Sequence, residues 1–289
     1  MTKKLFVVAF VAALAAASAA AFTAMRARKL RMPDAHAASS VSNAGTDSRV
    51  SNAKRAPVIV ELFTSEGCSS CPPADALLAR MDETQPVEGA EVVALAQHVD
   101  YWNYLGWSDP FSSHEFSERQ GAYSRAFGKD GVYTPQMVID GRAEFPGGDS
   151  DHAFDAIAKA AREPKAEVLL SRAGAQTKAD AGEPVRLGVR VEKLPKLSDG
   201  DAADVLLAIT EGKLSSDVAR GENTGRKLTH VGVVRRLTKL GELGAGAFSM
   251  ETSVAVEKGW RRENLRAVVF LQERASMRVV GASSIKLFD

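Results

Sequence analysis

Apolar residues change their spacing several times along this chain of 289 residues. An uncharged, Ala-rich run from Leu5 to Ala24 follows Lys3 and Lys4, and residues 25 to 56 then show no periodicity. From Pro57 the pattern becomes regular. Val58–Thr64 is a short apolar run that predicts a buried strand. Ala74, Leu77, Leu78 and Met81 recur at i, i+3, i+4 and i+7, which predicts a helix with one buried face. Glu91–His98 and Gln136–Asp140 predict two more strands, and Arg142–Phe145 pairs with the second as a hairpin turned by Asp140-Gly141. Asp149 or Ser150 caps a further helix through Arg162, with Phe154, Ile157, Ala158 and Ala161 facing inward, and Pro164 closes it.

Beyond residue 165 the helical period disappears. Alternating segments recur at Glu167–Ser171, Val185–Val191, Asp204–Thr210, His230–Leu237, Phe248–Val256, Leu265–Gln272 and Met277–Leu287, mostly separated by Gly, Pro and Asp turns. That pattern predicts an all-β, sandwich-like unit. The expected organisation is therefore a targeting segment over 1–24, a flexible spacer over 25–56, a mixed α/β domain over 57–164 and a β-sandwich-like accessory domain over 165–289.

Composition narrows the function. Net charge is +1, with 45% hydrophobic and 25% charged residues, so no strong field directs the chain to nucleic acid. The Leu5–Ala24 run behind two lysines has the make-up of a signal peptide and is about long enough to remain as an anchor. The expected location is outside the cytoplasm, in the periplasm, either soluble or held to a membrane by that N-terminal segment.

The chain has two cysteines, Cys68 and Cys71, between the first strand and the first helix. Strand, Cys-x-x-Cys and helix form a layout in which helix N-terminal amides stabilise a thiolate. Exported proteins often carry structural disulfides. A ring closed over so few residues removes little chain entropy, which favours a working dithiol over a staple. Cys68 is the expected attacking thiolate and Cys71 the more buried resolving thiol. Thr134-Pro135 stands immediately before a strand, where proline supplies no amide and tolerates a cis bond.

These features resemble the thioredoxin-like superfamily over about Pro57–Pro164. The block from Val60 through Gly67-Cys68-Ser69-Ser70-Cys71-Pro72-Pro73-Ala74-Asp75 is similar to a family of exported proteobacterial proteins with no assigned function. So are His98–Trp107, Tyr133–Gln136 and Gly221–Arg226. The resemblance implies a thioredoxin-like α/β domain with an aromatic-rich insertion. It also implies a Thr134-Pro135 loop that faces the cysteines across an accessible groove and offers its backbone to a substrate. Two departures leave the reduction potential open: Gly67 replaces the tryptophan usual before the first cysteine, and Ser69-Ser70 replaces Gly-Pro.

Glu61, a carboxylate in an apolar strand just before the cysteines, is a candidate for proton transfer, or else a solvated edge residue. Asp100–Asp130 holds Tyr101, Trp102, Tyr104, Trp107, Phe111, Phe116, Tyr123 and Phe127. Most of these rings suit a satellite core; Trp102 and Trp107 are candidates to line a substrate site. The expected activity is thiol–disulfide exchange with protein or small-molecule thiols and disulfides, through an unidentified redox partner and without a cofactor. Two other readings stand beside it. One is a Cu or Zn handling protein using Cys68, Cys71, His98 and His114, although no metal-spaced pair is present. The other is a non-catalytic binding protein on the same scaffold.

Overall fold

The computed structural model describes residues 55–172, 184–243 and 248–288. The targeting segment and nearly all of the spacer lie outside the described residues. Strand β1 (Ala56–Thr64) leads into helix α1 (Pro72–Thr84), and β2 (Ala90–His98) returns parallel to β1, paired from Ala56↔Ala90 to Thr64↔His98. Pro72 and Pro73 occupy helix positions whose N–H groups would have no intrahelical partner. Gln85 ends the helix in a left-handed conformation, its N–H donating to Met81.

Helix α2 (His114–Ala126) precedes a hairpin of β3 (Gln136–Ile139) and β4 (Ala143–Pro146), and α3 (Ser150–Ala160) follows. β3 runs antiparallel to β1 on the side away from β2, giving the local order β2-β1-β3-β4. The hairpin turns at Asp140 and Gly141, both at positive φ. Asp149 caps α3, its carboxylate accepting from the His152 N–H at 3.1 Å.

Alternation along β1 divides two layers. Val58, Val60 and Leu62 share a core with Leu77, Leu78 and Met81 of α1 and Ile157 of α3. Ile59 and Phe63 face the other way, toward Phe116 and Tyr123 of α2. Burying each Leu or Met of α1 contributes roughly 1.5–3 kcal/mol. α2 lies within the aromatic insertion. Its inward face includes Gln120 and Ser124, so an apolar period does not mark it.

The second half of the chain departs from the expected separate sandwich. Its strands are β5 (Glu167–Arg172), β6 (Val185–Glu192), β7 (Ala203–Glu211), β8 (Leu214–Asp217), β9 (Lys227–His230), β10 (Val233–Leu243), β11 (Phe248–Val254), β12 (Leu265–Glu273) and β13 (Val279–Lys286). Four of them extend the first sheet into eight strands, ordered β13-β12-β7-β10-β2-β1-β3-β4. The join is a short parallel contact of Val233 with Ala96, beside a 2.8 Å bond from the Ala96 N–H to the Gly232 carbonyl.

β5, β6 and β11 form a smaller antiparallel sheet, and β8 pairs with β9 alone. β6 lays Val185, Leu187, Val189 and Val191 on Leu207, Ile209, Val269 and Leu271, so this part is sandwich-like. Val268 and Phe270, on the opposite face of β12, join Ile59 of β1 and Phe116 of α2 in another core. A strand buried on both faces belongs inside a covered sheet. The boundary at 164/165 is thus corrected: the described residues form one compact unit across it. Among them no helix is long and apolar enough to cross a membrane.

Candidate functional site at the disulfide

After β1, residues 65–70 turn tightly into α1. Cys68 N–H donates to the Ser65 carbonyl at 3.2 Å, and Cys71 N–H to the Cys68 carbonyl at 3.2 Å. Cys71 is the N-cap of α1, and the two cysteines form a disulfide with their Cα atoms 5.4 Å apart. Ser70 Oγ lies 3.3 Å from Cys68 Sγ. Ser69 and Ser70 are exposed, whereas both cysteines are 0% exposed. The expected accessible groove is therefore corrected: Cys68 is as enclosed as Cys71.

The Thr134–Pro135 peptide is cis. A Cβ added at Gly147 would lie 3.0 Å from Ala74 Cβ and 3.1 Å from Pro135 Cβ, which sets Pro135 beside the first turn of α1. Trp102 bridges this loop and the cysteine turn. Its indole N–H donates to Thr134 Oγ1 at 2.8 Å, and its Cβ is 3.0 Å from where a Cβ on Gly67 would stand. The Trp107 indole donates to Glu66 Oε2 at 2.9 Å. Both tryptophans are half-buried, and Tyr104 between them is 81% exposed.

A buried polar cluster lies behind the turn. His230 Nε2 is 3.0 Å from Glu66 Oε1, and Asp109 Oδ2 accepts from the Glu66 N–H at 2.9 Å and meets His98 Nδ1 at 2.8 Å. The two imidazoles touch edge to face with centroids 4.7 Å apart. His98 Nε2 and His230 Nδ1 have no hydrogen-bond partner. Burial by itself would lower the His98 pKa. The Asp109 carboxylate, aided by Asp75 and Glu66, overrides it and holds the imidazole above its ordinary value.

Asp75 completes the cluster from α1. Its N–H donates to the Cys71 carbonyl at 3.1 Å, so the two residues are one turn apart on a helix face. Burial pushes the Asp75 carboxyl above its usual range, with His230 and His98 offsetting part of the effect.

The loop between β8 and β9 reaches the same turn. Asn223 Nδ2 donates to the carbonyls of Glu66 and Cys68, both at 2.9 Å, and the Ser69 N–H donates to Glu222 Oε2 at 3.0 Å. Hydrogen bonds from Ser69 hold the Glu222 carboxyl below its usual range.

Glu61 belongs to another network. It is 0% exposed and points to the α2 face, opposite Leu62 and α1. Arg119 Nε donates to its Oε2 at 2.6 Å and Arg119 Nη2 to its Oε1 at 3.0 Å; Tyr123 and Gln97 also donate to it. The alternative of a solvated edge residue is corrected by this burial, and strand alternation turns the Glu61 carboxylate toward α2, where Arg119 pairs with it. His114 is exposed and pairs with Asp100. Among the described residues no group of three or more His, Cys, Asp or Glu side chains is arranged to hold a metal ion.

Cys68, Cys71, Thr134, Pro135, Trp102 and Trp107 thus converge on one end of the sheet. Sequence reading missed Glu66, Asp75, Asp109, His230, Glu222 and Asn223 as site residues. Glu66 and Asp75 flank the cysteine motif, and Glu222 and Asn223 lie in the Gly221–Arg226 block, so their positions were visible while their meeting was not.

Fold and site together define a mixed α/β protein with a large mixed sheet and a short-ring disulfide closing a helix N-terminus. The chain belongs to the DUF1223 family, a protein family of unknown function, which matches residues 59–272. It is similar to a protein from Agrobacterium tumefaciens solved by X-ray crystallography, at 30% identity and a TM-score of 0.61, over 80% of this chain and 95% of that one. A domain of the outer membrane lipoprotein Omp28 from Porphyromonas gingivalis matches 43% of this chain and 89% of its own at 13% identity. Its TM-score is 0.24. No curated protein matches the chain.

Proposed function

We propose that this protein is a thiol–disulfide oxidoreductase on a thioredoxin-like frame, exported to the periplasm. The observation that carries the reading is the Cys68–Cys71 disulfide at the N-terminus of α1, formed by the chain's two cysteines. The order β2-β1-β3-β4, with α1 and α3 on one face and α2 on the other, supports the frame. Pro135 beside the first turn of α1 supports it too.

In this reading a substrate thiolate attacks Cys68 Sγ. The Cys68–Cys71 bond breaks, and Cys71 leaves as a thiolate that takes a proton from the Asp75 carboxyl. A second substrate thiolate attacks its own sulfur in the mixed disulfide and expels Cys68. The substrate ends as a disulfide and the protein as a dithiol; reversal reduces a substrate disulfide. Amides at the start of α1 favour the anionic sulfur. Thr134, held by Trp102, borders the site where an extended substrate would lie.

The test uses Cys71→Ser in the full chain with oxidised glutathione as probe. Reduced Cys68 is expected to form a stable mixed disulfide, detected by mass spectrometry, whereas wild type resolves it and releases glutathione. Absence of the adduct in a folded Cys71→Ser variant would overturn the reading. Export is tested by fractionating cells that express the full chain; retention in the cytoplasm would overturn that part.

A further inference from the structure

The β8–β9 ribbon contacts the cysteine turn at three places. His230, at the end of β9, meets Glu66. Asn223, 1% exposed at the loop tip, holds the carbonyls of Glu66 and Cys68 with one amide. Exposed Glu222 accepts from the Ser69 N–H. The loop is preset for this. Val218 N–H donates to the Arg226 carbonyl at 2.9 Å, Gly225 N–H to the Val218 carbonyl at 2.8 Å, and Arg226 Nη1 to Asn223 Oδ1 at 2.9 Å. The last bond turns the amide nitrogen of Asn223 toward the cysteine turn.

Attack on a disulfide requires a nucleophile to reach one sulfur along the S–S axis. Both cysteines are wholly buried, so this arrangement admits none. The ribbon hydrogen-bonds to no further strand; Leu214, Val218, Leu228 and His230 anchor it, whereas between Val218 and Leu228 only Asn223 is buried, so that loop is the part that opens locally. We infer that residues 218–226 form a strap gating the disulfide, with Asn223 as its latch and Glu222 as its surface clasp. The inference deepens the oxidoreductase reading: a partner gains the sulfur by displacing three hydrogen bonds.

Chemical reduction tests the strap without a biological substrate. A water-soluble trialkylphosphine attacks the disulfide, and with one water molecule gives the phosphine oxide and two thiols. The rate of thiol release is measured for full-length wild type, Asn223→Ala and Glu222→Ala under excess phosphine. Losing the latch is expected to raise the rate about tenfold and losing the clasp about threefold, in line with net hydrogen-bond strengths. Circular dichroism and a melting curve establish that each variant folds. If Asn223→Ala does not fold, Glu222→Ala decides alone.

Wild-type rates in folded variants would overturn the strap. Faster phosphine reduction without a glutathione adduct on Cys71→Ser would uphold the strap and overturn the oxidoreductase reading. An adduct combined with unchanged reduction rates would do the reverse.

Discussion

The side-chain amide of Asn223 donates to the carbonyl of Cys68 at 2.9 Å, across 155 residues of sequence. The last third of the chain thereby fixes the conformation of the cysteine turn. The site is consequently a property of the whole sheet, and four expected outcomes follow from how it is assembled.

Replacing Asp109 by Asn is expected to lower the His98 pKa, read by NMR titration of the imidazole. In wild type the His98 value is raised, so its stabilising contribution is full below its unfolded pKa of about 6.5 and is lost as pH rises through the folded value. His98, by charge and hydrogen bond, overrides the effect of burial and holds the Asp109 carboxyl below its ordinary range. The Asp109 contribution is present above about pH 4 and is lost as pH falls through the folded value. Stability gained from the pair is therefore greatest between those limits, and urea titrations of Asp109→Asn should show that pH dependence flattened.

Asp75→Asn removes a carboxyl whose pKa burial raises. A raised carboxyl favours folding below its unfolded pKa, and that contribution is lost as pH rises through the folded value. The variant is expected to be at least as stable as wild type at pH 7 by thermal melting.

Glu61→Ala leaves the Arg119 guanidinium buried without its carboxylate. Breaking a buried pair from one side costs about 3–5 kcal/mol, which chemical denaturation should record. Because Glu61 faces α2, glutathione exchange at Cys68 is expected to persist wherever the variant remains folded.

Phe270→Ala tests the continuity of the sheet. Phe270 is 0% exposed and packs with Ile59 and Phe116 across the boundary at 164/165. The truncation should cost about 3–5 kcal/mol. It should also move a single transition reported by tryptophan fluorescence and circular dichroism together. Separate transitions would indicate two independently folding domains.

Local chemistry made the elements around the cysteines readable. The face of Ala74, Leu77, Leu78 and Met81 is buried as its spacing requires. Asp140-Gly141 turns the hairpin because both residues tolerate positive φ. Helix α2 escaped notice because its inward face carries polar Gln120, Ser124 and Arg119, of which Gln120 reaches Tyr133 and Gln136 and Arg119 reaches Gln272. The β8–β9 ribbon is only four residues per strand, too short to raise a period-two signal above its flanks.

The sequence by itself determined the short-range facts around the cysteines: β1, α1, β2 and the β3–β4 hairpin, the Asp140-Gly141 turn, and that two cysteines open a helix. Side-chain period and turn preference act over a few residues, so they are written locally. Tertiary structure alone decided that β10 docks beside β2, that Glu61 pairs with Arg119, and that His230 and Asn223 arrive at the disulfide. Those outcomes depend on strand register and on which faces the whole core buries, and no local stretch of sequence encodes them.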